Sequence, residues 1–210
     1  MENNNIGRLF IVTAPSGAGK TSLVKALLKL CPQIQISISH TTRYPREDEK
    51  DGVDYFFVNN EIFENLKNNG EFLENAECHG AKYGTAKTPV DSTLKSGKDI
   101  ILEIDYQGAL IVKNIFKEAI SIFIIPPSME ILKQRLVARG QNSTVEINGR
   151  LTAAKEEIRH LEKFDYVIIN DNFDKALDNL KSIYDDSDES KKLVTANQKE
   201  IFQNVINSIK

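Results

Sequence analysis

The chain has 210 residues, 40% of them apolar and 27% charged, with a formal net charge of -3. At roughly 150 residues per domain the length suits one domain with room for a small insert, and the apolar share excludes wholesale disorder. With 27 basic residues against 30 acidic ones, no global positive field draws nucleic acid or an anionic membrane to it.

The chain alternates β-rich runs with amphipathic stretches, the pattern of an α/β protein with a mostly parallel sheet. A strand is expected over Arg8–Thr13. After it Ala14-Pro15-Ser16-Gly17-Ala18-Gly19-Lys20-Thr21 opens a helix over Lys20–Leu30, which ends ahead of Pro32. A strand, a glycine-bearing loop and a helix in that order are the setting of a phosphate-binding loop. Glycines let successive backbone N–H groups converge on phosphate oxygens, and the helix N-terminus adds its positive dipole end. Lys20 would reach the β- and γ-phosphates, and the Thr21 hydroxyl would serve Mg2+. The usual pattern begins with Gly; here Ala14 stands there, and its methyl fits the turn only at negative φ. A Lys-Thr pair directly after the last glycine disfavours a dinucleotide-binding turn.

A second strand is expected over Ile34–Ser39. Between about 43 and 86 the pattern loosens. Asp54–Val58, Glu71–Glu77 and Gly80–Tyr83 alternate between Gly and Asn residues and read as a small antiparallel insert. Thr88 is expected to cap a helix whose first residue is Pro89 and which Gly97 closes. Strands Asp99–Asp105 and Ala119–Ile125 follow, then Ser128 as the cap of Met129–Arg139 with Gly140 as terminator. A helical pattern runs from about Thr144 to Phe164, a strand over Tyr166–Asn170 and a helix over Phe173–Tyr184. Several of these strands are continuous apolar runs, as strands covered on both faces require. The acidic stretch from Asp185 to Ser190 reads as solvated surface. Beyond it Ile201, Val205, Ile206 and Ile209 share one face of a final helix.

The polar start and the short apolar run from Leu9 to Val12 match neither a secretory signal nor a membrane span. Cys31 and Cys78 stand far apart and in no CxxC pattern, which fits reduced thiols in a cytoplasmic protein. His40, His79 and His160 have no metal-ligand spacing.

The basic residues comprise 20 Lys and 7 Arg, so the positions holding Arg are informative. Arg43 and Arg46 stand three apart after the second strand; Arg135 and Arg139 stand four apart on one helix face, and Arg150 follows. Arginine offers a planar fork of donors for bidentate phosphate contact, where lysine is a point charge. One triphosphate loop and a second arginine-lined site point to phosphoryl transfer between two bound nucleotides, which needs charge neutralised and water excluded. Arg135, Arg139 and Arg150 flank the small and polar stretch from Gly140 to Glu146, the composition of a mobile lid.

From about Arg8 to Tyr184 the sequence resembles the guanylate kinase family. The family's signature is present as Thr42-Arg43, Arg46, Glu49, Gly52, Tyr55 and Phe57. The resemblance implies an α/β fold: a P-loop three-layer core with a parallel five-stranded sheet, a small mixed or antiparallel GMP-binding insert, and a helical lid. The core would take 6–42 and 87–210, with the lid at about 136–150, and the insert 43–86. The implied reaction carries a phosphoryl group from ATP to GMP with Mg2+, giving ADP and GDP. Ser39, Arg43, Arg46, Tyr55 and Tyr83 resemble the residues that hold the GMP phosphate, Glu74 and Thr85 those that read guanine, and Asp105 a further substrate-site residue. Residues 14–21, Asn170 and Asp171 fall on the ATP side; Lys20, Arg43, Arg135, Arg139 and Arg150 are the expected catalytic groups. Family members commonly carry Asp where this chain has Glu103, whose extra methylene keeps the charge but moves it.

The base assignment has its own chemistry. Guanine presents N1–H and N2–H2 as adjacent donors, and one carboxylate accepts from both, with Thr85 left for the O6 acceptor. Adenine has an acceptor at N1 and no 2-amino group, so it would leave Glu74 unpaired. A nucleoside monophosphate kinase of other base preference is the alternative within enzymes. A non-catalytic guanylate-kinase-like interaction module is the alternative outside them, against which Lys20, Thr21 and the lid arginines stand. The expected partners are ATP and GMP, not nucleic acid or membrane. The final helix has two surfaces available, its own domain or a second subunit, so a homo-oligomer stays open.

Overall fold

The structure is a computed structural model and describes residues 6–78, 80–138, 140, 143–187 and 207. His79, Arg139 and, apart from Asn207, the final helix expected beyond residue 190 lie outside the described residues.

In chain order the elements are β1 (Leu9–Thr13), α1 (Lys20–Leu30), β2 (Gln35–Ser37), β3 (His40–Thr41), β4 (Phe56–Phe57), α2 (Asn60–Asn68), β5 (Phe72–Cys78) and β6 (Ala81–Ala86). There follow α3 (Lys87–Lys95), β7 (Ile100–Glu103), α4 (Tyr106–Ile115), β8 (Ile120–Ile125), α5 (Met129–Ala138), α6 (Thr144–Ile158), β9 (Tyr166–Ile169) and α7 (Phe173–Tyr184). A parallel five-stranded sheet has the order β2-β7-β1-β8-β9, and a four-stranded sheet the order β4-β3-β6-β5. The chain divides into two compact units, one of residues 1–11 and 32–120 and one of residues 12–31 and 121–210.

In the first unit β2 and β7 pair in parallel, with Gln35 opposite Ile100 and Ser37 opposite Leu102. The smaller sheet is mixed. β5 and β6 run antiparallel, as do β3 and β6, but β3 and β4 run parallel. Its apolar filling is a row of rings. Phe63 of α2 meets Phe72 at 4.8 Å, Phe72 meets His40 at 5.5 Å, and His40 meets Phe56 at 4.9 Å. α2 adds a helix between the expected strands Asp54–Val58 and Glu71–Glu77. Asn59 caps it, accepting from the Ile62 N–H at 2.8 Å, and Phe63 is its buried residue.

The α3 start is a correction. The helix begins at Lys87 and not at Pro89, because β6 runs to Ala86 and leads straight into it. Pro89 becomes the third helical residue, still within the first turn, where a missing N–H breaks no helical bond.

In the second unit β8 and β9 pair in parallel from Ile122 opposite Tyr166 to Ile125 opposite Ile169. Asp165 fixes their start by accepting from both the N–H and the hydroxyl of Ser121. α1 buries Leu23, Val24 and Leu27 and packs on α7, which buries Ala176, Leu180 and Ile183. Ser128 caps α5 as expected, accepting from the Ile131 N–H at 3.1 Å. α5 and α6 share a small core of Leu132, Leu136, Ile147 and Ala154. α6 starts on a capping box of Ser143 and Glu146 and ends at Ile158, short of the expected Phe164. There the chain tightens into a single 3-10 turn, Leu161–Lys163. Phe164 then extends and sets its ring edge-on to Phe123 at 4.9 Å. Among the described residues no helix is long and apolar enough to cross a membrane.

Candidate active site

The loop expected to bind phosphate leaves β1 and turns on an Ala18 N–H to Pro15 carbonyl bond of 3.0 Å. Gly17 and Gly19 take φ of 93° and 100°, a region L side chains avoid. Ala14 does not need it. Asp186 is the one non-glycine with positive φ among the described residues, so the Ala14 methyl is carried at negative φ, the condition set by the sequence. Gly19 is the N-cap of α1, which places Lys20 and Thr21 in its first turn, where the helix dipole favours anions.

Asn170, at the end of β9, is buried and donates its side-chain amide to the Ala18 carbonyl at 2.7 Å. A Cβ on Gly19 would come within 2.3 Å of that amide nitrogen. Arg135 of α5 donates through Nη2 to the Asn170 carbonyl at 2.8 Å, while its buried Nη1 has no hydrogen-bond partner among the described residues. Arg150 of α6 donates through Nη1 to the Ser16 hydroxyl at 2.6 Å. Two of the three lid arginines named by the sequence therefore meet the phosphate loop or the strand end that supports it. Arg139 lies outside the described residues. Asp171 is exposed, and its carboxylate accepts from the Asn172 N–H at 2.7 Å.

In the first unit Arg43 and Arg46 converge on Glu49. Its carboxylate accepts from Arg43 Nη2 at 2.9 Å, from the Arg46 N–H at 2.8 Å and from Arg46 Nη1 at 3.3 Å. Arg43 also donates through Nη1 to the Tyr44 carbonyl and stands 5.5 Å from the Tyr55 ring centre and 5.8 Å from that of Phe57. Burial works against the Arg43 charge, but hydrogen bonds to Glu49 and Tyr83 outweigh it and raise its pKa. Burial likewise opposes the Glu49 charge, and the Arg46 N–H and Arg43 outweigh it and lower its pKa. Burial, followed by the charge of Glu103, pushes the Tyr55 phenol up to about 12, so Tyr55 is a neutral donor at working pH. Tyr55 and Tyr83 lie with ring centres 6.0 Å apart. Arg43 Nε is buried with no hydrogen-bond partner among the described residues. Ser39 is also buried.

Glu74 and Thr85 face each other across β5 and β6. Glu74 is 4% exposed and Thr85 fully buried, and the Thr85 hydroxyl donates to Glu74 Oε1 at 2.5 Å. A hydroxyl has one proton, and here it goes to the carboxylate. Asp105 is the N-cap of α4, accepting from the Gly108 N–H at 2.8 Å.

Sequence reasoning gave the two arginines site roles but named Glu49 only within the family signature, not as the carboxylate that holds them. The Arg43, Arg46, Glu49 spacing of three was the available signal. Nothing in the sequence marked the side chain of Asn170 as a support for the phosphate loop.

A family model described as guanylate kinase matches residues 6–187. The guanylate kinase of Methylobacillus flagellatus is 58% identical over 177 residues, covering 84% of this chain and 88% of that protein. The guanylate kinase of Thiobacillus denitrificans is 54% identical over 177 residues, covering 84% and 85%. Among solved structures, the crystal structure of guanylate kinase from Anaplasma phagocytophilum matches with a TM-score of 0.72 at 31% identity, over 95% of each chain.

Proposed function

This chain belongs to the guanylate kinase family and is an ATP:GMP phosphotransferase, and we propose that Glu74 and Thr85 read the guanine base while Lys20 and the arginines carry the phosphoryl chemistry. The observation that carries this reading is the buried Glu74 carboxylate bonded to the Thr85 hydroxyl. A buried carboxylate is costly unless donors satisfy it, and the Thr85 hydroxyl is one such donor. The N1–H and N2–H2 edge of guanine supplies two more, and frees the Thr85 proton for O6.

Arg43, Arg46, Tyr55 and Tyr83 would hold the GMP phosphate, with Ser39 beside them and Asp105 in the same substrate site. The unpartnered Arg43 Nε supports this, since a buried donor gains most from a charged acceptor. On the ATP side the backbone of residues 14–21 would cradle the phosphates, with Asn170 and Asp171 beside the adenine. Lys20, Arg135, Arg139 and Arg150 would stabilise charge on the migrating γ-phosphoryl. Catalysis is then positioning and electrostatics, and no covalent nucleophile is assigned.

Mg2+ suits the donor chemistry. Thr21 is an exposed hard-oxygen donor at the second residue of α1, and Mg2+ takes oxygen ligands while keeping phosphate oxygens and water. When bound, it neutralises charge on the β- and γ-phosphates. We further propose the division into core (6–42 and 87–210), lid (about 136–150) and GMP-binding insert (43–86).

The test is ADP release from Mg-ATP with GMP, AMP, CMP and UMP in turn. GMP should exceed each of the others by at least about a hundredfold in kcat/KM, the range set by unpaired buried polar groups. Equal turnover with AMP or a pyrimidine monophosphate would sink the base assignment.

A further inference from the structure

Gly108 is buried in the first turn of α4, and its φ is not positive. Its backbone conformation is therefore open to any residue, and inside a helix Gly is less stable than Ala. What requires glycine is a neighbour. A Cβ built on Gly108 would lie 2.5 Å from Glu74 Oε2 and 2.9 Å from Glu74 Cδ, closer than nonbonded atoms approach.

The carboxylate is thus fixed from two sides. Thr85 holds Oε1 through a hydrogen bond, and the bare Cα of Gly108 lets Oε2 rest against α4. The first turn of α4 is itself held, because Asp105 accepts the Gly108 N–H. β5 packs on α4 over this contact, so the helix cannot retreat from an added methyl without disturbing its neighbours. Swinging Glu74 aside is the alternative, and that moves the oxygens that face the base.

We propose that Gly108 is a positioning residue for guanine selectivity: its missing side chain sets where the Glu74 carboxylate lies. This rests on the reading of Glu74 as the base-binding carboxylate.

Inosine monophosphate is the probe, since its base keeps N1–H and O6 but lacks the 2-amino group. Gly108→Ala should lower kcat/KM for GMP at least tenfold, mostly through KM. It should cut the preference for GMP over inosine monophosphate at least threefold and leave KM for ATP within twofold. Thermal melting gives an independent reading. Gly108→Ala should lower Tm in the parent chain and raise it in the Glu74→Ala background, where the methyl has room and Ala favours the helix. If the single variant does not fold but the double variant does, the inference also stands. An unchanged nucleotide preference, or the same loss of Tm in both backgrounds, overturns it. Glu74→Gln separates the two ideas. If that change leaves the preference intact, the base reading itself fails; if it abolishes the preference while Gly108→Ala does not, only the role of Gly108 fails.

Discussion

The side-chain amide of Asn170 donates to the carbonyl of Ala18 at 2.7 Å across 152 positions of sequence. One residue at the end of β9 therefore braces the loop between β1 and α1. The same residue offers its own carbonyl to Arg135, so loop, strand end and α5 share a support. Gly19 lies beneath that amide because it has no side chain to meet it.

Asn170→Ala should leave the buried Ala18 carbonyl unpaired, a loss of about 1–3 kcal/mol. At about 2–4 °C per kcal/mol for a chain of this size, the melting temperature should drop measurably. KM for ATP should rise several-fold while KM for GMP stays within twofold. Asn170→Asp should do worse, because it sets a carboxylate oxygen against a carbonyl. Equal effects on both nucleotides would show that Asn170 supports the fold at large and not the loop.

Glu49→Gln should weaken the grip on Arg43 and Arg46 together. Hydrogen bonds to charged groups are worth about 1.5–3 kcal/mol, so KM for GMP should rise roughly tenfold to a hundredfold with KM for ATP unchanged. Isothermal titration with GMP and, separately, with ATP checks the split. Unchanged GMP affinity would mean that the arginines hold their places without Glu49.

His40 should make the smaller sheet sensitive to acid. Its ring lies between Phe56 and Phe72, and burial lowers its pKa below the ordinary 6.5, with Asp51 pulling it partly back. The unfolded chain then takes up the proton before the folded one does. Stability from this group is intact above about pH 6.5 and falls as the pH drops towards the lowered folded pKa. His40→Phe removes that titration, so its Tm should fall less than the parent's between pH 7.5 and 5.5. Parallel Tm curves for the two proteins would contradict the argument.

The strand–loop–helix of residues 9–30 and the parallel strands were legible because each is local: a fixed spacing, an apolar run, a cap. α2 was not, since Asn60, Glu61, Glu64, Asn65, Lys67 and Asn68 surround the few apolar residues, and Phe63 is the residue it buries. β3 was not, because two residues have no periodicity to detect, whereas β4 falls inside the expected strand Asp54–Val58. The roles of Asn170 and Gly108 depend on neighbours far along the chain, which no window of sequence contains. The α3 boundary shifted because β6 continued to Ala86 and left no room for a separate cap.

Glu74→Gln tests most directly whether the Glu74 carboxylate reads guanine. Gln keeps the shape and one acceptor oxygen but loses the charge and the second acceptor. Steady-state rates with GMP at saturating Mg-ATP should fall at least about tenfold in kcat/KM, the equivalent of one charge-assisted hydrogen bond, with KM for ATP and the melting temperature nearly unchanged. A variant that phosphorylates GMP as efficiently as the parent would contradict the account.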